Sequence, residues 1–437
     1  MKETNRSRAA EGGPLPRPTH LSEALARSRP LALALGALFV LLIAATAWQL
    51  GPAPAARPSG TLLDFDVFRL AGQLAWREEM PLAYDGAAFR PLQQEAFGRD
   101  IFLPWTYPPH YNLLVAPPAL LPAWAGYGLF STGSLVLFLV QIRRLAGARF
   151  LLVTLMLTPA ILVCLKTGQN GLFFGGLLAL FVNLRGAPSA RRRLWAGPVL
   201  ALLAAKPHFF LGLLVYLLWR REWRLLGLAA VTLALMLGLA TLAFGPAIWP
   251  AFREGAAQSG SFMALGVYPF FRMVSVFAGL ASMAGPGDWG AAGGGTADWA
   301  LALHLAVALL LTGGLFYSRA RGADPRVGLA LALGAGFLIS PYAYDYDVPI
   351  FGVTLALLLP LCAGRIGDGT ARMLILLGWL TALPSLVMAL VLAGQGGSLA
   401  GAGALWSLGW LGVTGSLTLA VLRTAPSEAL RLQPTQG

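Results

Sequence analysis

Charged residues are scarce in this chain of 437 residues. They make up 12% of it, about half the share that is usual in soluble domains, whereas 57% of the residues are hydrophobic. This composition excludes an ordinary soluble fold and indicates that a lipid bilayer is the main solvent of the chain. Because each membrane-spanning helix needs about 20 apolar residues, the length suits roughly a dozen spans with short loops.

Cysteine is nearly absent, and so are the short motifs of common nucleotide and metal sites. Cys164 and Cys362 are the two cysteines, and both fall inside apolar runs, which gives no support to a disulfide framework or a zinc site. The chain has no Walker A pattern, no dinucleotide-binding glycine fingerprint after a strand, no HExxH and no CxxC. We therefore expect no cytosolic nucleotide-sugar site.

The long apolar runs predict helices, because a segment inside a bilayer must satisfy its own backbone hydrogen bonds. The run that follows the polar N-terminal segment is longer than the apolar core of a cleavable signal peptide, so we expect it to be retained as the first span. Two short runs meet at Lys206-Pro-His and predict a hairpin that need not cross the full bilayer. The predicted spans are 31–50, 121–141, 150–166, 171–184, 194–206, 208–219, 225–243, 299–317, 327–340, 348–362, 373–392 and 404–422.

Arginines are concentrated in every second loop. With the N-terminus on the cytoplasmic side, the inner segments hold 23 of the 32 lysines and arginines but only 7 of the 19 acidic residues, which is the positive-inside pattern of membrane proteins. The net charge of +13 is thereby explained without a nucleic-acid partner. The basic clusters lie at 143–149, 185–193, 220–224, 319–326, 365–372 and 423–431.

This topology predicts one transmembrane domain, residues 31–422, between cytoplasmic tails at 1–30 and 423–437. Two of its outer loops are long, 51–120 and 244–298.

The first outer loop contains the stretch DFDVFRLAGQLAW, residues 64–76. Phe65, Phe68 and Gly72 fall on one side of this stretch when it is drawn as a helix. Such a segment is predicted to be an amphipathic helix in the membrane interface.

The predicted outer face gathers the polar and ionisable residues that lie at span ends, where they are costly unless solvated or paired and are therefore candidates for function. The inner loops, by contrast, hold only short arginine-rich segments. The outer set comprises Asp64, Asp66, Tyr107, His110, Lys166, Gln169, Asn170, Lys206, His208, Tyr342, Tyr344, Asp345 and Asp347.

Several of these residues have two interpretations. Asp64 or Asp66 could take a proton from an attacking hydroxyl as a general base, or could cap the start of a helix. Lys206 could hold a phosphate as a point charge, or could extend its ammonium to the bilayer surface; Lys166 has the same ambiguity.

The aromatic and amide residues are equally open. Gln169 and Asn170 could hydrogen-bond sugar hydroxyls or cap a span. The tyrosines of SPYAYDYD, residues 340–347, could anchor the span end in the interface, or could bind a sugar together with the neighbouring carboxylates. Trp105 is interpreted as part of the aromatic belt at the membrane interface.

Six segments in order along most of the chain resemble glycosyltransferase family 87. They are DFDVFRLAGQLAWxxxxPLAYD (64–85), YPPHYNLLVAPPALLP (107–122), TGQNGLFFGGLLAL (167–180), LLAAKPHFFLGLLVYLL (202–218), FGxxxWxxF (244–252) and SPYAYDYDVPI (340–350). The resemblance implies the GT-C fold: an all-α polytopic membrane protein with about 12 transmembrane helices and amphipathic juxtamembrane helices in the first outer loop.

The resemblance also implies roles for particular residues. The family's acidic residue in the first outer loop corresponds to Asp64, with Asp66 as the less favoured neighbour. The family's lysine before proline corresponds to Lys206, and its late S-P-x-x-x-x-Y-D element corresponds to Ser340, Pro341, Tyr346 and Asp347. Some members have a histidine in that element where this chain has Tyr342 and Tyr344, so the base or the acceptor could differ.

Together these points predict an inverting glycosyltransferase. A monosaccharide, mannose in the best-known members, would pass from a polyprenyl-phosphate donor to an acceptor hydroxyl on a glycolipid or glycan. Asp64 would be the base, and Lys206, with Lys166 or Arg272, would offset the charge on the departing phosphate.

We predict that the protein lies in the inner (plasma) membrane, where membrane lipids surround it. Both termini are expected to be cytoplasmic and the active site extracytoplasmic. The reaction requires no cofactor; a divalent metal is compatible with it but not demanded. A lipid or solute transporter or flippase is the alternative, and an inactive membrane scaffold is a third.

Overall fold

The computed structural model describes residues 21–51, 63–98, 102–264, 272–277, 296–320, 323–340, 342–362 and 366–391. Helices dominate these residues, and an isolated bridge between Met273 and Tyr344 is the only strand-like pairing among them. The prediction of an all-α membrane protein is confirmed. The predicted span at 404–422 and most of both predicted tails lie outside the described residues, so the number of spans and the domain boundaries stay predictions.

The helices are bounded as follows. In chain order they are α1 (Leu21–Arg27), α2 (Arg29–Gln49), α3 (Leu63–Trp76), α4 (Gly86–Phe97), α5 (Pro109–Val115), α6 (Ala123–Ala146), α7 (Phe150–Thr167), α8 (Gly171–Arg185), α9 (Ala190–Leu194), α10 (Ala196–Leu203), α11 (Leu211–Trp219), α12 (Trp223–Phe244), α13 (Ile248–Ala264), α14 (Thr296–Ala320), α15 (Pro325–Ile339), α16 (Val348–Leu358) and α17 (Asp368–Val391). Short 3₁₀ turns at Met80–Tyr84, Pro117–Leu120, Pro207–Phe209 and Asp345–Asp347 connect some of them.

Four of the described stretches are long and apolar enough to cross a bilayer: Arg29–Gln49, Ala123–Thr167, Trp223–Phe244 and Asp345–Cys362. Along α2 and α12 most leucines and valines are exposed, as expected of helices whose outer side faces lipid tails rather than water.

The centre of the molecule is built from α7, α8, α15 and α16, which are buried over most of their length. Glycines allow these helices to approach one another closely. A Cβ on Gly171 would clash with the backbone carbonyl of Tyr346, and one on Gly175 would come within 2.9 Å of the carbonyl oxygen of Pro349. The N-terminal half of α8 therefore holds the segment 342–350 directly against itself.

The amphipathic stretch of the first outer loop is helix α3, as predicted. Asp64 and Asp66 occupy its first turn, where carboxylates interact favourably with the helix dipole. Its apolar side packs on protein, because Phe65 and Phe68 are buried and Gly72 lies against the carbonyl of Val115. This packing fixes the direction in which the first turn of α3 points.

The predicted hairpin around Lys206 is present. Helix α10 ends at Leu203, the turn Pro207–Phe209 follows, and α11 begins at Leu211. Lys206 lies immediately before the turn in a non-helical conformation. The ammonium is thereby brought toward the centre of the helix bundle at the level where α7 ends and α8 begins.

Candidate active site

A cavity of about 330 Å³ lies where α3, the segment 102–108, the Lys206 hairpin and the segment 342–347 meet. Charged, polar and aromatic side chains share its wall. Its lining includes Asp64, Phe68, Trp105, Tyr107, Gln169, Lys206, His208, Phe252, Arg272, Tyr342, Tyr344, Tyr346 and Asp347.

A tight turn between α7 and α8 brings Gln169 to this cavity. Helix α7 ends at Thr167, and Gly168 follows in the left-handed region at φ +68° with Phe65 packed directly against it. A side chain at that position would be strained and would displace Phe65. The turn therefore joins the start of α8 to the start of α3, and Gln169 lies within hydrogen-bonding reach of Asp64.

Asp64, Arg272 and Asp345 form a line of alternating charge. Arg272 donates through Nη2 and Nε to the two oxygens of Asp345, at 3.1 and 3.2 Å, a bidentate geometry that fixes a guanidinium firmly. Its Nη1 lies 3.9 Å from Oδ2 of Asp64. Burial lowers the pKa of Arg272, but the two carboxylates outweigh burial and hold it above its usual value.

Asp64 is a carboxylate with an unfavourable environment for its charge. The side chain is only 14% exposed, and burial raises its pKa above the usual 3.8, although Arg272 and a hydrogen bond from Gln169 oppose the shift. A carboxylate with a raised pKa is a stronger base than one in water, so this position suits proton abstraction.

Lys206 and Asp347 form a second, deeper ion pair. Nζ of Lys206 donates to Oδ1 of Asp347 at 2.6 Å, and the side chains are 6% and 2% exposed. The other carboxylate oxygen, Oδ2, accepts from the backbone N–H of Tyr344 at 3.2 Å. The pair thus connects the hairpin to the segment 342–347.

Four aromatic rings surround the ammonium of Lys206. Nζ lies 5.3 to 5.9 Å from the ring centroids of Tyr346, Phe174, Phe209 and Tyr107, which is the range of cation–π attraction. These rings replace part of the solvation that burial removes.

The aromatic wall is held by a hydrogen-bond network. Nδ2 of Asn170 donates to the hydroxyls of Tyr107 and Tyr111, at 2.7 and 2.8 Å, and the two rings stack with centroids 4.3 Å apart. Burial raises the pKa of Tyr107 above its usual value of 10, so its hydroxyl stays neutral. Tyr107 is the member of this group that lines the cavity.

The late acidic–aromatic segment contributes two rings in parallel. Tyr344 and Tyr346 stack with centroids 5.0 Å apart and an angle of 6° between planes. The backbone N–H of Val274 donates to the carbonyl of Ala343 at 2.7 Å. This hydrogen bond holds residues 272–274, which belong to the predicted second outer loop, beside the cavity that Arg272 lines.

Five of the predicted site residues do not line the cavity. Asp345 and Asn170 lie behind it and hold Arg272 and Tyr107. Lys166 donates to Oε1 of Gln49 at 3.1 Å instead. The remaining two are Asp66, two residues beyond Asp64 on α3, and His110 on α5.

His110 is a buried histidine. Neither of its ring nitrogens has a hydrogen-bond partner among the described residues, and burial lowers its pKa to about 4. The ring is therefore neutral at physiological pH.

The interpretation of Trp105 as an interface residue is wrong. Trp105 is 2% exposed, and its Nε1 donates to Oδ1 of Asn112 at 3.1 Å, while its ring lines the cavity beside Tyr107. Tyr346 was linked to the site only through the family resemblance, yet it lies between Lys206 and Arg272. Its place in the alternating YAYDYD segment was the signal that could have identified it.

The charged groups of the cavity do not form a metal-binding cluster of the usual kind. Within the described part of the chain, no group of three or more histidine, cysteine, aspartate or glutamate side chains is arranged to hold a metal ion.

Comparison with known families gives one match. The model of glycosyltransferase family 87 matches residues 105–341, a segment that includes Tyr107, Gln169, Lys206 and Arg272 but neither Asp64 nor Asp347. No curated protein and no solved structure matches the chain significantly.

Proposed function

Because the chain belongs to glycosyltransferase family 87, and is therefore a membrane glycosyltransferase, we propose that the cavity beside Asp64 transfers a monosaccharide from a polyprenyl-phosphate donor to an acceptor hydroxyl. Family membership also favours an enzyme over the two alternatives that the sequence left open, a transporter or flippase and an inactive membrane scaffold. The proposal assigns the reaction to particular side chains of this cavity.

The observation that supports this assignment is that a buried carboxylate with a raised pKa and two cations line the same cavity. Asp64, Arg272 and Lys206 all line the cavity. The carboxylate can accept a proton, and the cations can face an anionic leaving group. Sugar transfer from a phosphate needs both functions within one site.

The proposed reaction proceeds by direct displacement. The acceptor oxygen forms a bond to the anomeric carbon while its proton passes to Asp64. The bond from the anomeric carbon to the phosphate oxygen breaks on the opposite face, and its electron pair leaves with the polyprenyl phosphate. One displacement inverts the anomeric configuration.

The two cations act on the phosphate in different ways. Arg272 binds Asp345 through Nε and Nη2, so its Nη1 remains directed toward Asp64 and the cavity. Lys206 gives one of its three N–H groups to Asp347 and retains its charge close to the surface of the cavity. Positioned cations of this kind can lower a transition state by several kcal/mol. Lys166 has no part in the proposal, because it binds Gln49 outside the cavity.

The wall of rings supports a sugar as substrate. Trp105, Tyr107, Tyr344 and Tyr346 line the cavity, and aromatic faces pack well on the apolar faces of hexoses. Gln169 and His208 add hydrogen-bonding groups beside them. Mannose is the proposed sugar because it is the substrate of the best-known members of the family that this sequence resembles.

The arrangement of the helices supports an extracytoplasmic site in the plasma membrane. Helix α8 runs from Gly171 beside the cavity to Arg185 at its far end, and α11 runs from the hairpin toward Arg220. The arginine-rich loops thus lie at the opposite ends of helices that begin at the cavity. Together with the positive-inside pattern, this arrangement supports a cavity on the outer side of the membrane and both termini in the cytoplasm.

A donor comparison tests the proposed function. The purified protein, reconstituted in lipid nanodiscs with a lipid extract as the source of acceptors, is supplied either with polyprenyl-phosphate mannose or with a nucleotide-activated mannose. We expect a new hexose-bearing product by mass spectrometry with the lipid-linked donor alone. Transfer from the nucleotide sugar, with none from the lipid-linked sugar, would contradict the proposal.

A further inference from the structure

A second cavity, of about 550 Å³, lies far from the candidate active site. It opens between the C-terminal end of α8, helix α9 and the turn that joins α11 to α12. The 15 residues of α8 separate the two cavities by about 22 Å. We name it the basic crevice, and its lining is Arg185, Ala190, Arg193, Leu194, Arg221, Glu222, Trp223, Arg224, Leu225 and Leu228.

Two of its four arginines are anchored by the protein itself. Nε of Arg185 donates to both carboxylate oxygens of Glu222, at 3.0 and 3.1 Å, and its guanidinium lies over the ring of Tyr216. Nη1 of Arg193 donates to the carbonyls of Ala187 and Pro188, both at 2.8 Å. These bonds fix the walls of the basic crevice.

The other two arginines of the lining are Arg221 and Arg224. Within the described part of the chain, Arg221 and Arg224 contact no carboxylate, and both side chains are exposed. Glu222 is the one acidic residue of the lining, and Arg185 already binds it. An anion in the basic crevice would therefore meet two guanidinium groups, each able to bind a phosphate through paired N–H groups.

The backbone at Arg221 is held in a conformation that favours glycine. Arg221 has φ +55° and follows Arg220, the C-cap residue of α11. The N–H of Arg221 donates to the carbonyl of Leu218, and the N–H of Glu222 donates to that of Leu217. This is the Schellman motif, whose left-handed position is usually glycine. An arginine there costs backbone strain, so the side chain calls for a separate explanation.

The rim of the basic crevice is apolar. Trp195 and Trp223 are 62% and 60% exposed, and Leu194 is exposed beside them. Tryptophans gather at the boundary between bilayer and water. From Trp223 onward, α12 presents exposed apolar side chains such as Val231 and Leu235. A ligand in the basic crevice would have its charge at the arginines and apolar chains along α12.

We propose that the basic crevice binds the phosphate headgroup of an anionic phospholipid from the leaflet opposite the candidate active site. Basic pockets between membrane helices are suited to such headgroups, and a volume of this size is typical of small-ligand sites. The site is separate from sugar transfer and does not depend on the proposed donor.

Lipid binding by the delipidated full-length protein tests this inference. Native mass spectrometry in detergent measures adducts with phosphatidylglycerol, with phosphatidylcholine and, as a soluble phosphate without apolar chains, with glycerol phosphate. We expect adducts with phosphatidylglycerol that exceed the other two. Replacing both free arginines, Arg221→Gln with Arg224→Gln, should weaken phosphatidylglycerol binding about tenfold or more.

A matched control removes the same charge from the same face. Arg191→Gln with Arg192→Gln alters two exposed arginines of α9 that do not line the basic crevice, and this variant should bind phosphatidylglycerol as the unmodified protein does. Equal weakening in both double variants would show a general surface attraction and overturn the site. Equal binding of glycerol phosphate and phosphatidylglycerol would overturn the assignment to a lipid.

A single substitution separates binding from folding. Arg221→Gly suits the left-handed backbone and should keep or raise thermal stability while it weakens phosphatidylglycerol binding. Glu78→Gly is its control, because Glu78 has φ +62° after α3 and lies outside the basic crevice. Undiminished lipid binding by Arg221→Gly would contradict the proposed role of this side chain.

Discussion

Replacing either partner of the buried ion pair between Lys206 and Asp347 should destabilise the protein strongly. Replacing both partners together should cost less free energy of unfolding than the sum of the two single replacements. The two charged atoms are 2.6 Å apart and the side chains are 6% and 2% exposed. Removing one partner of such a pair leaves an uncompensated buried charge, at a cost of about 3–5 kcal/mol. Lys206→Met and Asp347→Asn should each lower the free energy of unfolding by about that amount.

The double variant identifies the cause of the loss. Lys206→Met with Asp347→Asn leaves no buried charge from either residue, so its loss should fall several kcal/mol short of the sum of the single losses. Chemical unfolding of the purified protein at constant detergent concentration, followed by tryptophan fluorescence, measures all three. Additive losses, or single losses under about 1 kcal/mol, would refute the reasoning.

An exposed ion pair of similar length provides the control. Arg326 and Asp324 are 2.7 Å apart, but the side chain of Arg326 is 51% exposed. Surface pairs contribute about 0–1 kcal/mol, so Arg326→Met should have a small effect in the same assay. A large effect there would show that distance rather than burial controls the cost.

Three further predictions concern the cavity and the helices around it. Because burial raises the pKa of Asp64, the transfer rate should fall with decreasing pH around a midpoint above 3.8, as a pH–rate profile would show; a midpoint at or below 3.8 would contradict this. Arg272→Met removes a cation that lowers that pKa, so the same midpoint should move to higher pH, and an unchanged midpoint would exclude the coupling. Gly171→Ala should lower the free energy of unfolding by about 1–3 kcal/mol, because its methyl would meet the carbonyl of Tyr346; Gly227→Ala, where the space is open, should cost no stability in the same unfolding assay.

The raised pKa of Asp64 also predicts how this side chain affects the free energy of unfolding. A raised pKa in the folded state means that folding favours the protonated carboxyl, so its contribution to stability is present at low pH and is lost as pH rises through that pKa. Asp64→Asn should therefore be at least as stable as the unmodified protein at neutral pH. A thermal melt measures this, and a clear loss of stability would contradict the conclusion that burial disfavours the charged form of Asp64.

The sequence predicted most of the helical architecture but few of the contacts within the cavity. Apolar runs and arginine clusters are local signals, so they located α6, α11 and the hairpin at Lys206 to within a few residues. The partner of Lys206 is Asp347, 141 residues away. No local pattern predicts that contact, because it depends on how α8, α10 and α16 pack.

Two residues show why side-chain roles were harder to predict than positions. Lys166 and Lys206 looked alike in sequence, since each lies near the end of an apolar run. Lys166 lies at the helical end of α7, which directs its side chain toward Gln49. Lys206 has a non-helical backbone just before Pro207, and this backbone directs its side chain inward. Arg272 was only an accessory candidate, because its distance from Asp64 depends on the pairing of residues 273 and 344.

The most direct measurement is transfer of mannose from polyprenyl-phosphate mannose by two variants that differ in one position on the same helix turn. Asp64→Asn removes the carboxylate that lines the cavity, and Asp66→Asn removes its neighbour, which does not line it. We predict that Asp64→Asn abolishes transfer while donor binding persists, and that Asp66→Asn retains transfer. Normal turnover in Asp64→Asn, or its loss in Asp66→Asn alone, would contradict the account.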